Sequence, residues 1–194
     1  MQPELSPETV IYGYQVGIFP MADEHGRIAW FCPDPRCIFE FERFRVSRSL
    51  RQIIRRRAFE VRVDAAFEQV IRACADRPEG TWISPEIIRV YTRLHHAGLA
   101  HSVETWQDGR LVGGLYGVAL GGAFFGESMF HRVSNASKVA LVALVERLRA
   151  RGYQLLDTQW STPHLERFGA IEIPRSEYLR RLDRALHVDC RFVD

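Results

Sequence analysis

Residues 101–138 read HSVETWQDGRLVGGLYGVALGGAFFGESMFHRVSNASK, and the punctuation of this stretch decides the fold. His101 to Trp106 alternates, with Val103 expected inward and Ser102 and Glu104 outward, and Asp108-Gly109 turns the chain into the apolar run Leu111 to Leu120. Gly121-Gly122 turns it again, into Ala123 to Phe130. Ser134 and Asn135 are residue types that satisfy the first N–H groups of a helix, Lys138, Leu141, Leu144 and Leu148 carry that helix, and Gly152 stops it. Leu155 to Thr158 then reads as a short buried strand. Three antiparallel strands, a helix and a returning strand make an α/β (α+β) chain, with a mixed, mainly antiparallel sheet flanked by helices.

The third of those strands also reads as a site. Glu127 stands among Phe124, Phe125, Met129 and Phe130, and Gly126 beside it marks a bulge or a close backbone approach. The positive end of the helix opened at Ser134 and Asn135 is expected just beyond Glu127. The bland alternative is an aromatic strand packed as ordinary core, with Glu127 a solvated charge.

Outward from this stretch, Ala170 to Ile173 is a last strand and Ser176 opens a last helix. Upstream, Ser6-Pro7 caps a helix ending near Gly17, and extended pieces surround Trp30 and Ile38. Phe59 to Val63 is extended, Asp64 is expected to cap a helix carrying Phe67, Val70 and Ile71, and Ser84-Pro85 opens a helix closed by Gly98. The division this suggests is a small N-terminal unit over 1–57 and the main domain over 58–194, with a soft boundary.

The chain of 194 residues is 46% apolar, enough for a proper core, and its formal charge is only +2. The charge is nevertheless uneven, because Arg43, Arg45, Arg48, Arg51, Arg55, Arg56 and Arg57 fall within fifteen residues. Arg48, Arg51 and Arg55 share one side of a short helix behind Ser47, either a basic binding face or a solvated one. No apolar run approaches the ~18 residues of a membrane span, and MQPELSPETV lacks the basic and apolar regions of a secretion signal, so the cytoplasm is expected. The four cysteines and seven histidines show no metal-ligand spacing, and neither a metal nor a disulfide is expected. No exposed amphipathic seam suggests an obligate dimer, and a monomer is expected.

Several uncommon words occur in one order: GYQVGIFP (Gly13 to Pro20), WFCPDPR (Trp30 to Arg36), TWIS (Thr81 to Ser84), HSVETW, LVGGLYG, FFGESMF (Phe124 to Phe130), NASK, LLDTQ (Leu155 to Gln159) and HLERFGA (His164 to Ala170). In these the chain resembles the bacterial leucyl/phenylalanyl-tRNA–protein transferases, over nearly its whole length. The resemblance implies an acetyltransferase-like (GNAT-like) fold. It also implies transfer of leucine or phenylalanine, with methionine as a further donor, from aminoacyl-tRNA to proteins that begin with Arg or Lys, marking them for degradation. It implies as well that Asp157 and Gln159 are the catalytic pair. As i, i+2 residues on a strand they share a face, and an ionised Asp157 is expected to hold the Gln159 amide with its carbonyl toward the attacking amine. Ester-to-amide transfer is downhill, so no cofactor is expected.

Glu127 suits the cationic end of the acceptor. The positions matching the family's donor pocket are Leu115, Phe124, Met129, Leu144 and Leu156, all apolar. Phe124 and Met129 have opposite strand parity and can face one cavity only across a bulge near Gly126. Tyr14, Trp30 and Trp82 match aromatic positions expected to stack or bond the terminal adenosine, and Arg48, Arg51 and Arg55 would meet phosphates of the acceptor end. Two positions depart from the family's habit: Met21 where Trp is common, and Thr162 where Asn is common. An acyl-CoA N-acyltransferase is the alternative enzyme, disfavoured by the missing pyrophosphate loop before Asn135. A non-catalytic module binding tRNA or protein amino termini is the alternative without chemistry.

Overall fold

A computed structural model describes residues 5–194. Helix α1 (Pro7–Gln15) starts at Ser6, whose Oγ accepts the Thr9 N–H at 3.2 Å while Thr9 Oγ1 accepts the Ser6 N–H at 2.9 Å. Strands β1 (Phe19–Ala22) and β2 (Ile28–Phe31) form a separate antiparallel pair, and β3 (Arg36–Phe39) follows. Helix α2 (Arg48–Arg55) begins at Ser47, which caps the Leu50 N–H. Then come β4 (Glu60–Val63), α3 (Phe67–Ala75), α4 (Pro85–His96), β5 (Ala100–Gln107), β6 (Arg110–Leu120), β7 (Ala123–His131) and α5 (Ala136–Ala150). The chain closes with β8 (Leu155–Gln159), α6 (Pro163–Glu166), β9 (Ile171–Ile173) and α7 (Arg175–Leu186). No helix among the described residues is long and apolar enough to cross a membrane.

Seven strands form one sheet in the order β4-β5-β6-β7-β8-β3-β9. Every neighbouring pair is antiparallel except β7 and β8, which α5 joins as a crossover. The meander read from His101 onward is therefore the centre of the fold. Across the division expected at residue 57, β3 lies inside the sheet, between β8 and β9, so residues 36–39 are completed by strands more than a hundred residues later. A four-residue strand with apolar side chains on both faces finds its hydrogen-bond partners only there.

Helices cover both faces. Val70, Ile71, Ile87 and Tyr91 from α3 and α4 pack on Tyr116, Val118 and Phe125, while Leu141, Leu144 and Leu148 of α5 pack on Leu115, Phe124 and Leu156. This double cover overturns the outward placement of Ser102 and Glu104, both fully buried. The Glu104 carboxylate is compensated by donors: Oε1 accepts the Ala65 and Ala66 N–H groups at 3.1 Å and the Ser102 hydroxyl at 2.6 Å. Glu104 thus serves the start of α3 in place of Asp64, whose carboxylate takes the Ser102 N–H and contacts His101 Nδ1.

The bulge expected near Gly126 is present. In the β6–β7 register Gly117 faces Gly126 and Tyr116 faces Ser128, leaving Glu127 as the extra residue. The inserted residue reverses parity, so Phe124 and Met129 belong to the α5 side while Phe125 and Phe130 belong to the other. Gly117 is required at this crossing, because a Cβ there would lie 2.3 Å from the Phe125 carbonyl oxygen.

Candidate active site

The bulge projects Glu127 into a cavity of about 870 Å³. Leu115, Met129, Leu141, Leu144 and Leu156 form its apolar wall, Glu127 and Gln159 its polar floor, and Met21, Trp82 and Trp160 part of its rim. Four of the five residues expected for a donor pocket are therefore together. Phe124 is not among the lining residues: it lies fully buried behind the wall, stacked on Phe192 at 5.2 Å. Leu141, one turn before Leu144 on α5, lines the wall and was not singled out from the sequence, although its i, i+3 spacing to Leu144 places both on one stripe.

Glu127 is held on one side only. Its Oε1 accepts the Tyr14 hydroxyl at 2.5 Å and the Gln159 Nε2 amide at 2.9 Å, and the Tyr14 hydroxyl in turn shares a 2.6 Å hydrogen bond with the Tyr91 hydroxyl. Oε2 is buried with no partner among the described residues. Burial drives the Glu127 pKa up to about 8; the charge of Asp157 adds to the rise, while the Tyr14 and Gln159 hydrogen bonds and Arg36 oppose it. Tyr14, expected to stack on or bond adenosine, is fully buried and serves this carboxylate instead, because α1 packs its ring 4.5 Å from Phe125. Burial also lifts its own pKa well above the usual phenol value.

Asp157 is closed on every side. It is fully buried and paired with an equally buried Arg36: Nε donates to Oδ1 at 2.9 Å and Nη2 to Oδ2 at 2.6 Å. The Tyr178 hydroxyl donates to Oδ2 at 2.9 Å, and the Gln159 backbone N–H to Oδ1 at 2.8 Å. Arg36 Nη1 also reaches the Gly17 carbonyl at 3.0 Å, and its guanidinium lies over the rings of Phe19 and Tyr178. Burial works against the charged guanidinium, yet Asp157 outweighs it and keeps the Arg36 pKa above its ordinary value.

The expected grip of Asp157 on the Gln159 side chain is thus corrected. Asp157 holds the backbone of Gln159, which sits at a left-handed φ of 67°, and Glu127 holds its amide nitrogen. Since Nε2 donates to Glu127, the side-chain carbonyl is the end left to turn toward a ligand. Arg36, Tyr91 and Tyr178 were not singled out from the sequence. For Arg36 a signal existed: a charged residue heading the strand Cys37-Ile38-Phe39 needs a buried partner.

The remaining expected residues divide. Trp82 lines the rim, but Trp30 is not among the lining residues; it packs on the core beside Gly13. The exposed aromatic at the mouth is Trp160, edge-on to Phe19 at 5.0 Å and to Phe31 at 5.8 Å. Met21 lines the rim, and Thr162 caps α6, its Oγ1 accepting the Leu165 N–H at 3.2 Å. Asn135 occupies the start of α5, yet its side chain makes no capping bond: at φ 69° it points away from the helix amides, and Oδ1 accepts from Lys138. Ser134 and Asn135 border an adjoining groove of about 620 Å³ rather than the cavity. Arg48, Arg51 and Arg55 lie along a separate groove beside Val142 and Glu146, where Arg51 already donates to the Val46 carbonyl at 2.8 and 3.0 Å.

Comparison with known proteins adds the family. The model for "Leucyl/phenylalanyl-tRNA protein transferase" matches residues 38–183, and that for its N-terminal domain matches residues 3–34. A leucyl/phenylalanyl-tRNA–protein transferase of Herpetosiphon aurantiacus is 60% identical over 99% of this chain and 100% of its own. Those of Gloeobacter violaceus and Rubrobacter xylanophilus are each 59% identical over 97% of this chain, and over 97% and 98% of their own lengths. The chain therefore belongs to the leucyl/phenylalanyl-tRNA–protein transferase family and is an aminoacyltransferase that moves an aminoacyl group from tRNA to protein.

Proposed function

We propose that the cavity seats the leucyl or phenylalanyl side chain of the donor on Leu115, Met129, Leu141, Leu144 and Leu156, and that Glu127 receives an acceptor beginning with Arg or Lys. The observation that carries this reading is the buried, unpartnered Oε2 of Glu127 on the cavity floor, beside the Gln159 amide. An apolar wall without buried polar groups suits leucine and phenylalanine, and the pliable Met129 accommodates both shapes. β-Branched side chains are excluded by shape, by about 1–3 kcal/mol.

The chemistry asks for little. The acceptor nitrogen attacks the ester carbonyl, the bond from that carbon to the ribose oxygen breaks, and an amide forms. Of the two protons the ammonium loses, one leaves before attack and one goes to the departing ribose oxygen. An α-ammonium has a pKa of about 7.7–8, close to the value of about 8 for Glu127. Glu127, protonated in the free protein at neutral pH, releases that proton against the arriving ammonium and can then take the amine's first proton at a cost on the order of 1 kcal/mol or less. The Gln159 carbonyl, turned away from Glu127, accepts a hydrogen bond from the attacking N–H and orients it. Arg48 and Arg55 supply contacts to tRNA phosphates. The product, a protein headed by a bulky apolar residue, is read as a mark for degradation, made by a monomeric enzyme.

Labelled leucyl-tRNA with a peptide beginning in Arg, beside the same peptide N-acetylated or beginning in Asp, tests the reading. Label is expected on the free Arg peptide alone; equal labelling of the Asp peptide would refute the role given to Glu127.

A further inference from the structure

His164 is a polar group of the cavity that neither carboxylate uses. It stands on α6, is steadied edge-on against Phe168 at 5.4 Å, and presents a buried Nε2 with no partner among the described residues. A buried ring nitrogen left without a hydrogen bond is costly in the free protein, which points to a group that arrives with a ligand. The same side chain borders both the main cavity and the adjoining groove that contains Lys138, His131 and Asn135, so it marks the passage between them. With the donor side chain placed on the apolar wall and the amine at Glu127 and Gln159, the His164 edge, where the cavity opens toward the adjoining groove, is left for the sugar bearing the ester. We propose that His164 Nε2 hydrogen-bonds the 2′-hydroxyl of the donor's terminal ribose and so orients the 3′-ester for attack. The inference rests on the transfer reading above.

The state of the ring agrees with a hydroxyl partner. Burial lowers the His164 pKa, and the positive charges of Lys138 and Arg167 lower it further, so the imidazole is neutral at neutral pH. A neutral imidazole nitrogen accepts or donates one hydrogen bond according to tautomer, and a hydroxyl can answer either.

Leucyl minihelices ending in adenosine or in 2′-deoxyadenosine separate the possibilities, tested with the wild type, His164→Ala and His164→Phe. The Phe variant keeps packing against Phe168 should the Ala variant fail to fold. The wild type is expected to lose about tenfold in kcat/KM on the deoxy donor, in line with one hydrogen bond to a neutral group. Each variant is expected to lose about tenfold on the ribose donor, with no additional loss on the deoxy donor and an unchanged KM for the acceptor peptide. Losses that multiply, variants that lose nothing, or a wild type indifferent to the 2′-hydroxyl would each overturn the proposal while leaving the transfer reading intact. A wild type that transfers from neither donor would defeat the transfer reading and this inference with it.

Discussion

Asp157 and Glu127 are neighbouring buried carboxylates that the fold treats in opposite ways. Asp157 has a bidentate guanidinium, a phenol and a backbone amide, and nothing remains for a ligand. Glu127 has two donors crowded on one oxygen and, among the described residues, none on the other. The saturated carboxylate is built as a strut, and the half-satisfied one is the receptor of the proposed transfer. Gln159 joins them, its backbone fixed by the strut and its amide by the receptor.

The comparison is most severely broken at the strut. Arg36→Met leaves Asp157 as an uncompensated buried charge and is expected to cost about 3–5 kcal/mol, seen as a lowered denaturant midpoint with activity lost in parallel. Near-wild-type stability would show that Asp157 is not structural. At the junction, Gln159→Ala is expected to reduce kcat roughly a hundredfold or more while the melting temperature stays within a few degrees. Unchanged turnover in a folded variant would remove Gln159 from the chemistry.

Glu127→Gln, nearly isosteric, sharpens the other half of the comparison. It is expected to raise the acceptor KM about tenfold or more, because an amide cannot ionise against the arriving ammonium as Glu127 does, and to leave the donor KM alone. The same variant tests titration. Glu127 has a folded pKa of about 8 against an ordinary value of 4.5. Between those values the unfolded chain has released its proton and the folded chain has not, so stability falls as pH rises through the window. The slope approaches about 1.4 kcal/mol per pH unit. Urea melts from pH 5 to pH 8 are expected to show this decline in the wild type and a flatter profile in the variant. The smallest effect is expected away from both carboxylates. Arg48→Ala with Arg55→Ala raises the tRNA KM a few-fold and makes its dependence on salt shallower by about one to two units of log–log slope, with stability unchanged.

The readable parts of this site were those fixed by local pattern. The parity of Phe124 and Met129 demanded a bulge, and the bulge is Glu127 itself. Helix starts at Ser6, Ser47 and Ser84 followed from residue type, because a cap needs only the next three residues. Burial set by distant elements was hidden. Glu104 looked outward because alternation says nothing about a second layer of helices, and Tyr14 looked like a ligand platform because its partner carboxylate lies 113 residues away. Phe124 was given to the cavity on a match of position, which could not show how deep it lies. Asn135 was right as a place and wrong as a cap, since its left-handed backbone turns the amide toward Lys138.

The guanidinium of Arg36 binds the carbonyl of Gly17 and the hydroxyl of Tyr178, so residues near the two ends of the chain meet on one side chain behind Gln159. Every donor of that side chain is met only when both segments are folded against the sheet. Loosening either segment leaves a charged group in the interior with an unmet donor, so α1 and α7 hold each other in place through it.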